Sequence, residues 1–267
     1  MQSAVVKKQY QQQMWAAGDC ARISTGLAIV GEMLCESIDL RAGQKVLDVA
    51  TGSGNTALAA ARRWCEVVGV DFAPSQLEKA RERAACEGLP IMFGQGDAEH
   101  LPFDNGAFDV VLSTFGVMFA LEQKRAANEL LRVCRPGGKV GLASWTPEGF
   151  MADVFRKIGE YVEPPPGMPA SIVWGTEHGL RQLFGLGIAS MQVWRRRVDL
   201  RYRSAQHWLE HMRGQPGPVL QAFYELDDAE GAELAAELLA LVGRYNRSGD
   251  ATMVVPADYL EVVALRR

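Results

Sequence analysis

A short apolar run that ends in a glycine turn limits what this chain can fold into more than any other feature. Residues 46–50 read VLDVA, residues 51–55 read TGSGN, and an alanine-rich helical pattern follows. Glycines let the backbone turn sharply and let a ligand approach without meeting a Cβ atom. A strand, a glycine turn and a helix in this order predict an α/β domain that binds a nucleotide-like ligand.

Short apolar runs alternate with helical patterns through the segment that follows this turn. The runs predict strands near 46–50, 66–71, 91–93, 108–113 and 139–145, and the helical patterns lie near 55–64, 74–88 and 121–134. Such alternation predicts βαβ units with right-handed crossovers, and therefore a Rossmann-like, doubly wound α/β fold. In these sheets a ligand lies beyond the carboxyl ends of the strands, beside the first strand.

The pattern loosens after residue 146, although it remains that of one domain. It predicts helices near 151–162, 205–213 and 228–247, strands near 190–202 and 259–265, and a proline-rich break at 164–169. We expect a single domain over 1–267. Its parts are an N-terminal helical lid (1–40), a cofactor-binding core (41–146), a substrate cover with the sixth strand (147–257) and a final strand (258–267).

Composition narrows the class of partner. The net charge is -4 at pH 7, and Arg195, Arg196 and Arg197 alternate with apolar residues further on, which indicates a strand with a charged outer face. This argues against nucleic-acid binding. The five scattered cysteines and the spacing of the histidines predict free thiols and no metal site. No run reaches the ~18 apolar residues of a membrane span. We expect a cytoplasmic monomer or homodimer without a membrane partner.

The glycine turn alone leaves two cofactor classes open. Gly52, Gly54 and Ala57 also fit the dinucleotide fingerprint, with Asp71 at a suitable distance, so an NAD(P)-dependent oxidoreductase is one alternative. Asp48 argues against a pyrophosphate, because like charges ~4 Å apart repel by about 4 kcal/mol at an effective dielectric of 20. S-adenosylmethionine carries a sulfonium and an ammonium against one carboxylate, so an acidic pocket attracts it. Alternatively, Asp48 has a purely structural role, as a helix cap or a turn-stabilising side chain.

Two further carboxylates support the cationic ligand. Asp71 ends the second strand and suits a ribose diol, and Asp97 follows the third strand, where it can accept from an adenine amino group. Ala98 offers its backbone amide to a ring nitrogen, and Phe72 can lie on the adenine face. Taken alone, Asp97 would be a simple turn residue.

Four segments in order resemble the class I S-adenosylmethionine-dependent methyltransferases. They are VLDVATGSGN, VVGVDFAPSQLEKAR, GDAEHLPFDNGAFDVVLS and LLRVCRPGGKVGLASW, which cover about 40–145. They look most like the branch that includes the ubiquinone and menaquinone biosynthesis enzymes. The resemblance implies a seven-stranded sheet with an antiparallel last strand and a helical cover over the active site. Asn55 departs from the glycine or small polar residue often found there.

The resemblance also implies roles by position. Asp48 and Gly52 would lie near the methionine part, Asp71 on the ribose, Asp97 with Ala98 on the adenine, and the Ser113 backbone near the methionine. Tyr10, Trp15 and Arg22 are candidates for a lid, in which Arg22 could pair with the methionine carboxylate; alternatively, Arg22 is solvated on a helix at the sheet edge. The candidate cofactor-binding residues are Trp15, Arg22, Asp48, Ala50, Thr51, Gly52, Gly54, Asp71, Phe72, Gly96, Asp97, Ala98, Ser113 and Phe115.

Methyl transfer from a sulfonium needs in-line attack, so positioning and desolvation supply much of the acceleration. A base is needed only for a weakly acidic acceptor. His207 and His211 share one helix face and are the candidates, with a solvated face as the alternative. Met118 and Trp145 are the candidate substrate-pocket residues. The apolar surroundings predict a small apolar or aromatic acceptor, with S-adenosylhomocysteine as product. A non-catalytic protein that binds the cofactor is the remaining alternative.

Overall fold

The fold is a seven-stranded sheet flanked by helices. It is taken from a computed structural model that describes residues 4–17, 25–162, 171–215 and 217–267. The strands are β1 (Lys45–Val49), β2 (Glu66–Asp71), β3 (Met92–Gln95), β4 (Phe108–Thr114), β5 (Cys134–Trp145), β6 (Ile188–Tyr202) and β7 (Met253–Arg266). Their order is β3-β2-β1-β4-β5-β7-β6. The first five strands run parallel, and β7 pairs antiparallel with both β5 and β6. This topology confirms the predicted doubly wound sheet with an antiparallel last strand.

Ten helices are numbered in chain order within the described residues. They are α1 (Ala4–Ala16), α2 (Ala28–Ser37), α3 (Asn55–Ala61), α4 (Pro74–Cys86), α5 (Gln123–Val133), α6 (Phe150–Tyr161), α7 (Glu177–Phe184), α8 (Ala205–Arg213), α9 (Pro218–Glu225) and α10 (Asp228–Tyr245). Short 3-10 turns lie at Val117–Phe119, Ser171–Gly175 and Gly185–Gly187. Across the described part of the chain, no helix combines the length and apolarity that crossing a membrane requires.

Two cores lie on opposite faces of the sheet. The larger one gathers the inner sides of α5, α6, α8 and α10, through side chains such as Leu130, Val154, Trp208 and Leu238. The smaller one lies under α2 and α3, where alanines allow the helices to approach closely. At Gly31 of α2, a Cβ atom would come 3.1 Å from the Thr56 backbone, so a glycine favours that close approach. The alanine-rich pattern after the glycine turn therefore serves tight helix packing.

Two predicted strand boundaries were wrong. The Arg-Pro-Gly-Gly segment does not separate a helix from β5, because β5 already begins at Cys134 and a register shift against β4 absorbs the irregularity. The final strand begins at Met253 rather than Tyr259. Its first half alternates buried and partly buried residues, whereas its second half is mostly apolar and continuously buried up to Ala264, and only this half stands out in the sequence. The helices α2, α7 and α9 were not assigned from the sequence.

Candidate active site

A pocket of about 280 Å³ opens at the carboxyl ends of the parallel strands. The glycine turn after β1, the end of β2 and the loop after β3 form one wall, through Asp48, Ala50, Thr51, Gly52, Ser53, Asn55, Asp71, Phe72, Gly96, Asp97 and Ala98. The segment after β4, the end of β5 and helix α6 form the other wall, through Thr114, Phe115, Gly116, Val117, Phe119, Ala120, Trp145, Met151 and Phe155. The first wall is called the acidic wall below, and the second the aromatic wall.

Asp48 stabilises the glycine turn from inside. It is 1% exposed, and its Oδ2 accepts from Thr51 Oγ1 at 2.6 Å and from the Ala57 backbone N–H at 3.0 Å. Burial raises the pKa of Asp48 to about 7, against the lowering effect of these two hydrogen bonds, and the charge of Asp71 raises it further. The Asp48 carboxyl thus ties the turn to the first turn of α3 while it lines the pocket.

Asp71 ends β2 and is held by backbone donors. Its Oδ2 accepts from the Gly52 N–H and its Oδ1 from the Ala73 N–H, both at 2.9 Å. Burial raises the pKa of Asp71, whereas the backbone hydrogen bonds from Ala73, Gly52 and Phe72 lower it. These bonds fix the carboxylate against the glycine turn, at the position expected to meet a ribose diol.

Asp97 lies beyond β3 and forms an ion pair with helix α1. Lys8 Nζ is 2.9 Å from Asp97 Oδ1 and 2.6 Å from Glu99 Oε1. Asp97 Oδ1 also accepts from the Glu99 N–H at 2.9 Å, which closes the loop around the Asp97 side chain. The ion pair carries the N-terminal helix to the rim of the acidic wall.

Backbone geometry brings the two walls together at Ala50 and Gly116. Ala50 adopts a left-handed conformation with φ +54°, which is unusual for a residue with a Cβ atom. A Cβ atom at Gly116 would lie 2.5 Å from the Ala50 Cβ and 2.8 Å from the Ala50 oxygen, both of which are too close for a van der Waals contact. Only glycine at position 116 allows this contact between the two walls.

Phe115 and Trp145 form the centre of the aromatic wall. Their rings stack at 3.9 Å with an interplanar angle of 12°, and Tyr259 meets Phe115 edge-on at 5.7 Å. Phe115 has φ +57°, and its N–H donates to the Ala143 carbonyl at 2.8 Å. The strained backbone turns the Phe115 ring out of β4 and into the pocket.

Helix α1 lies across the pocket and contacts both walls. Gln12 Nε2 donates to the Phe72 carbonyl at 2.7 Å, and Gln11 Nε2 donates to the Phe119 carbonyl. The Trp15 and Phe119 rings lie 5.0 Å apart. Lys8, Gln11 and Trp15 all line the pocket. The arrangement fits a lid that closes the pocket from the N-terminal side.

The pocket brings together most, but not all, of the predicted residues. Gly54, at φ +89°, begins α3 and faces Ala80 and Phe93 instead of the pocket. The Ser113 hydroxyl donates to the Val49 carbonyl at 2.7 Å and accepts from the Val117 N–H, so its side chain joins β4 to β1. Arg22 lies outside the described residues.

Of the candidate substrate and base residues, one lines the pocket and the others do not. Trp145 lines the pocket, but Met118 is 1% exposed in the core, because the 3-10 turn points Val117 and Phe119 towards the pocket and Met118 away. His207 and His211 do not line the pocket. His207 Nδ1 accepts from the Arg203 N–H, and His211 contacts Gln215, so neither histidine is placed to act directly as a base.

Several lining residues were not predicted from the sequence. They are Lys8, Gln11, Leu27, Gln76, Met151, Phe155, Met212, Gln215, Gly217, Pro218 and Val219. Most belong to the N-terminal helix or to the C-terminal third. The Gly-Gln-Pro-Gly-Pro break at 214–218 was the available signal, because a turn between two amphipathic helices often points its residues at a functional pocket.

The donor set of the acidic wall fits S-adenosylmethionine. The wall carries three carboxylates and has a glycine turn at its centre, where a Cβ atom on Gly52 would meet nothing closer than Gln76 at 4.0 Å. Carboxylates attract a net cationic ligand and repel a pyrophosphate. The fixed carboxylate of Asp71 provides the acceptor that a ribose diol requires.

Comparison with known proteins places the chain in a family. The family described as "Methyltransferase domain" matches residues 46–138. An uncharacterized protein of Mycobacterium tuberculosis is 36% identical over 259 residues, covering 95% of this chain and 93% of that protein. The demethylmenaquinone methyltransferase of Thermus thermophilus is 40% identical over 128 residues, covering 46% of this chain and 58% of that enzyme. The YcgJ protein of Bacillus subtilis shares the fold, with a TM-score of 0.63 and 18% identity over 89% of this chain and 97% of that one.

The chain belongs to the class I S-adenosylmethionine-dependent methyltransferases, and it is an enzyme of that class. The predicted resemblance is therefore confirmed, including the likeness to the menaquinone branch over 128 residues. The oxidoreductase alternative, which rested on the glycine fingerprint alone, has no support from the family or from the acidic wall.

Proposed function

We propose that this enzyme transfers a methyl group from S-adenosylmethionine to a small, neutral, apolar or aromatic metabolite. The observation that carries this proposal is the division of the pocket into an acidic wall and an aromatic wall. A cationic cofactor belongs against the first, and a flat apolar acceptor against the second. The two meet at Ala50 and Gly116, where the reacting groups would face each other.

Residues of the acidic wall would hold the cofactor. Asp71 would bind the ribose hydroxyls, Asp97 and the Ala98 amide the adenine, and Asp48 with Gly52 would lie near the methionine part. Phe72 would cover one face of the adenine. When bound, S-adenosylmethionine supplies a methyl group on a sulfonium sulfur, which a nucleophilic atom of the acceptor takes by in-line attack while the sulfur keeps the bonding electron pair.

The aromatic wall supports a neutral acceptor. Among the described lining residues, the charged ones are Lys8, Asp48, Asp71 and Asp97, and all four belong to the acidic wall or to its ion pair with α1. An anionic acceptor would lie against Phe115 and Trp145 without a counter-ion, which is costly in a shielded site, and a cationic acceptor would be repelled by the sulfonium of the cofactor. A planar apolar acceptor gains from stacking on the same rings.

The residues of the chain act by positioning and by excluding water. Among the described lining residues there is no histidine, cysteine, tyrosine or glutamate, and Lys8 is held by two carboxylates. The carboxylates of Asp48, Asp71 and Asp97 are assigned to the cofactor in this proposal. The acceptor atom would then be nucleophilic without a base from the other described lining residues, and its proton would pass to water. Helix α1 would act as the lid that dries the pocket.

The open aromatic wall favours catalysis over cofactor binding alone. A non-catalytic protein would be expected to fill the space beside Phe115 and Trp145 with side chains. Both rings instead line the pocket. This lining supports an acceptor beside the place where the cofactor would lie.

Calorimetry with S-adenosylhomocysteine tests the proposal. We expect the wild-type protein to bind it, and Asp71→Ala to weaken binding at least 10-fold, because the hydrogen bonds to the ribose are lost. Asp104→Ala, at an exposed aspartate outside the pocket, is the matched control and should bind like the wild type. Absence of binding to the wild-type protein, or equal affinity of Asp71→Ala, would refute the assigned cofactor site.

A further inference from the structure

Two histidine–glutamine pairs occur at a spacing of four residues, and only one of them faces the pocket. Gln215 Nε2 lies 3.1 Å from His211 Nε2, and Gln182 Nε2 lies 2.9 Å from His178 Nε2. Gln215 is 4% exposed and lines the pocket, whereas the pair on α7 is exposed and neither of its residues lines the pocket. The same local contact is thus found once in a shielded ligand site and once on the surface.

Apolar residues line the pocket beside Gln215. Met212, Pro218 and Val219 line the same end of the pocket, and a Cβ atom on Gly217 would touch the Trp15 ring at 3.3 Å. Burying an amide costs roughly 1–3 kcal/mol unless it is hydrogen-bonded. Such a residue in an otherwise apolar wall is the usual means by which a pocket fixes the orientation of its ligand.

His211 determines how the Gln215 amide is presented. An amide nitrogen has no lone pair to accept with, so Gln215 Nε2 donates and His211 Nε2 accepts, which requires the neutral imidazole. The His211 ring is held edge-on against Tyr202, with ring centroids 5.3 Å apart. An amide offers two N–H donors and two lone pairs, so Gln215 can bind partners within the protein, His211 among them, and also a ligand.

We propose that Gln215 is a specificity-determining residue that hydrogen-bonds an oxygen of the methyl acceptor, and that His211 is the residue that positions it. The inference rests on the proposed function and deepens it. The acceptor is then a planar apolar molecule that carries at least one hydroxyl or carbonyl oxygen, directed away from the acidic wall. The C-terminal cover supplies this selection, and the cofactor-binding core does not.

The test compares 1-naphthol with naphthalene by calorimetry on protein saturated with S-adenosylhomocysteine. We expect the wild-type protein to bind 1-naphthol more tightly than naphthalene. Gln215→Met keeps the length of the side chain and should weaken 1-naphthol about 3- to 10-fold, the value of one neutral hydrogen bond, while naphthalene is held as well or better. Gln182→Met, in the exposed pair, should leave both affinities unchanged.

Variants of His211 separate positioning from packing. His211→Phe keeps the ring against Tyr202 but loses the acceptor nitrogen, so we expect it to lose the preference for 1-naphthol. His211→Gln offers an oxygen near the position of Nε2 and should restore much of it. Rescue of this kind is not expected if the ring only fills space. Thermal unfolding of each variant confirms that the protein remains folded.

The outcomes distinguish this inference from the function on which it rests. If S-adenosylhomocysteine does not bind the wild-type protein, the proposed function itself fails. If it binds but neither aromatic compound does, the aromatic acceptor and the role of Gln215 are both overturned. If Gln215→Met weakens the binding of both compounds equally, or of neither, Gln215 only packs against the ligand and does not hydrogen-bond an oxygen. The inference is then wrong.

Discussion

Replacing Gly116 by alanine tests whether the contact between the two walls supports the pocket. Gly116 has φ -104° and ψ -59°, which alanine adopts without strain, so the added methyl group is the only perturbation. That methyl group would lie 2.5 Å from the Ala50 Cβ and 2.8 Å from the Ala50 oxygen. Ala50 has little freedom to retreat, because the next residue, Thr51, donates its N–H to the Val70 carbonyl at 2.9 Å.

The expected loss of stability in Gly116→Ala follows from the cost of overpacking. Forcing an extra carbon into a close-packed contact destabilises a protein by about 1–3 kcal/mol. We expect Gly116→Ala to lower the free energy of unfolding by about 2 kcal/mol in urea denaturation. The same displacement should move the glycine turn, so the affinity for S-adenosylhomocysteine should fall about 10-fold, or about 1.4 kcal/mol.

A second glycine provides the control. Gly159 lies inside α6, and a Cβ atom there would meet nothing within 4 Å. Gly159→Ala should stabilise the protein by about 0.5–1 kcal/mol through helix propensity and leave the affinity unchanged. The reasoning is refuted if Gly116→Ala unfolds at the same urea concentration as the wild type and binds S-adenosylhomocysteine equally well.

Three further predictions concern charged groups. Because folding raises the pKa of Asp48 to about 7, the folded protein binds more protons than the unfolded chain between about pH 4 and 7. The free energy of unfolding therefore falls as pH rises through that window. Asp48→Asn should make this fall smaller, as measured by urea unfolding at pH 5 and 8. Arg196→Met leaves Glu261, which is 0% exposed, without its cation, and should lower the free energy of unfolding by about 2–3 kcal/mol. The double variant Arg196→Met with Glu261→Met should recover most of that loss. Lys8→Met removes the ion pairs of α1 and should speed S-adenosylhomocysteine dissociation about 3- to 10-fold, which stopped-flow tryptophan fluorescence measures, since Trp15 and Trp145 both line the pocket.

The order of the sheet could be predicted because its signals are local. Short apolar runs separated by helical patterns recur through β1 to β5, and right-handed crossovers leave few topologies. The start of β7 could not be predicted, because residues 253–258 become a strand only by pairing with the similarly long β6. Pairing between distant segments gives no local pattern in either one.

The acidic wall could be predicted for a similar reason. Asp48 lies near the end of β1, Asp71 ends β2 and Asp97 follows β3, so the parallel topology brings them to one edge of the sheet. The lining residues from α1 and from the turn between α8 and α9 reach the pocket through tertiary packing. Nothing within the local sequence of Gln11 distinguishes this glutamine from the exposed Gln182. The break at 214–218 predicts a turn around Gln215 but does not show that this turn reaches the pocket.

Asp48 shows that two interpretations of one residue can both hold. Its carboxyl binds Thr51 and the start of α3, which is the turn-stabilising role, and it also lines the pocket where a cationic cofactor would lie. Burial raises its pKa to about 7, so the protein carries a carboxyl that is ready to lose its proton near neutral pH. A cation brought near it favours the charged form, and linkage then requires the affinity for that cation to rise as the proton leaves. The residue that shapes the turn would in this way also couple cofactor binding to pH.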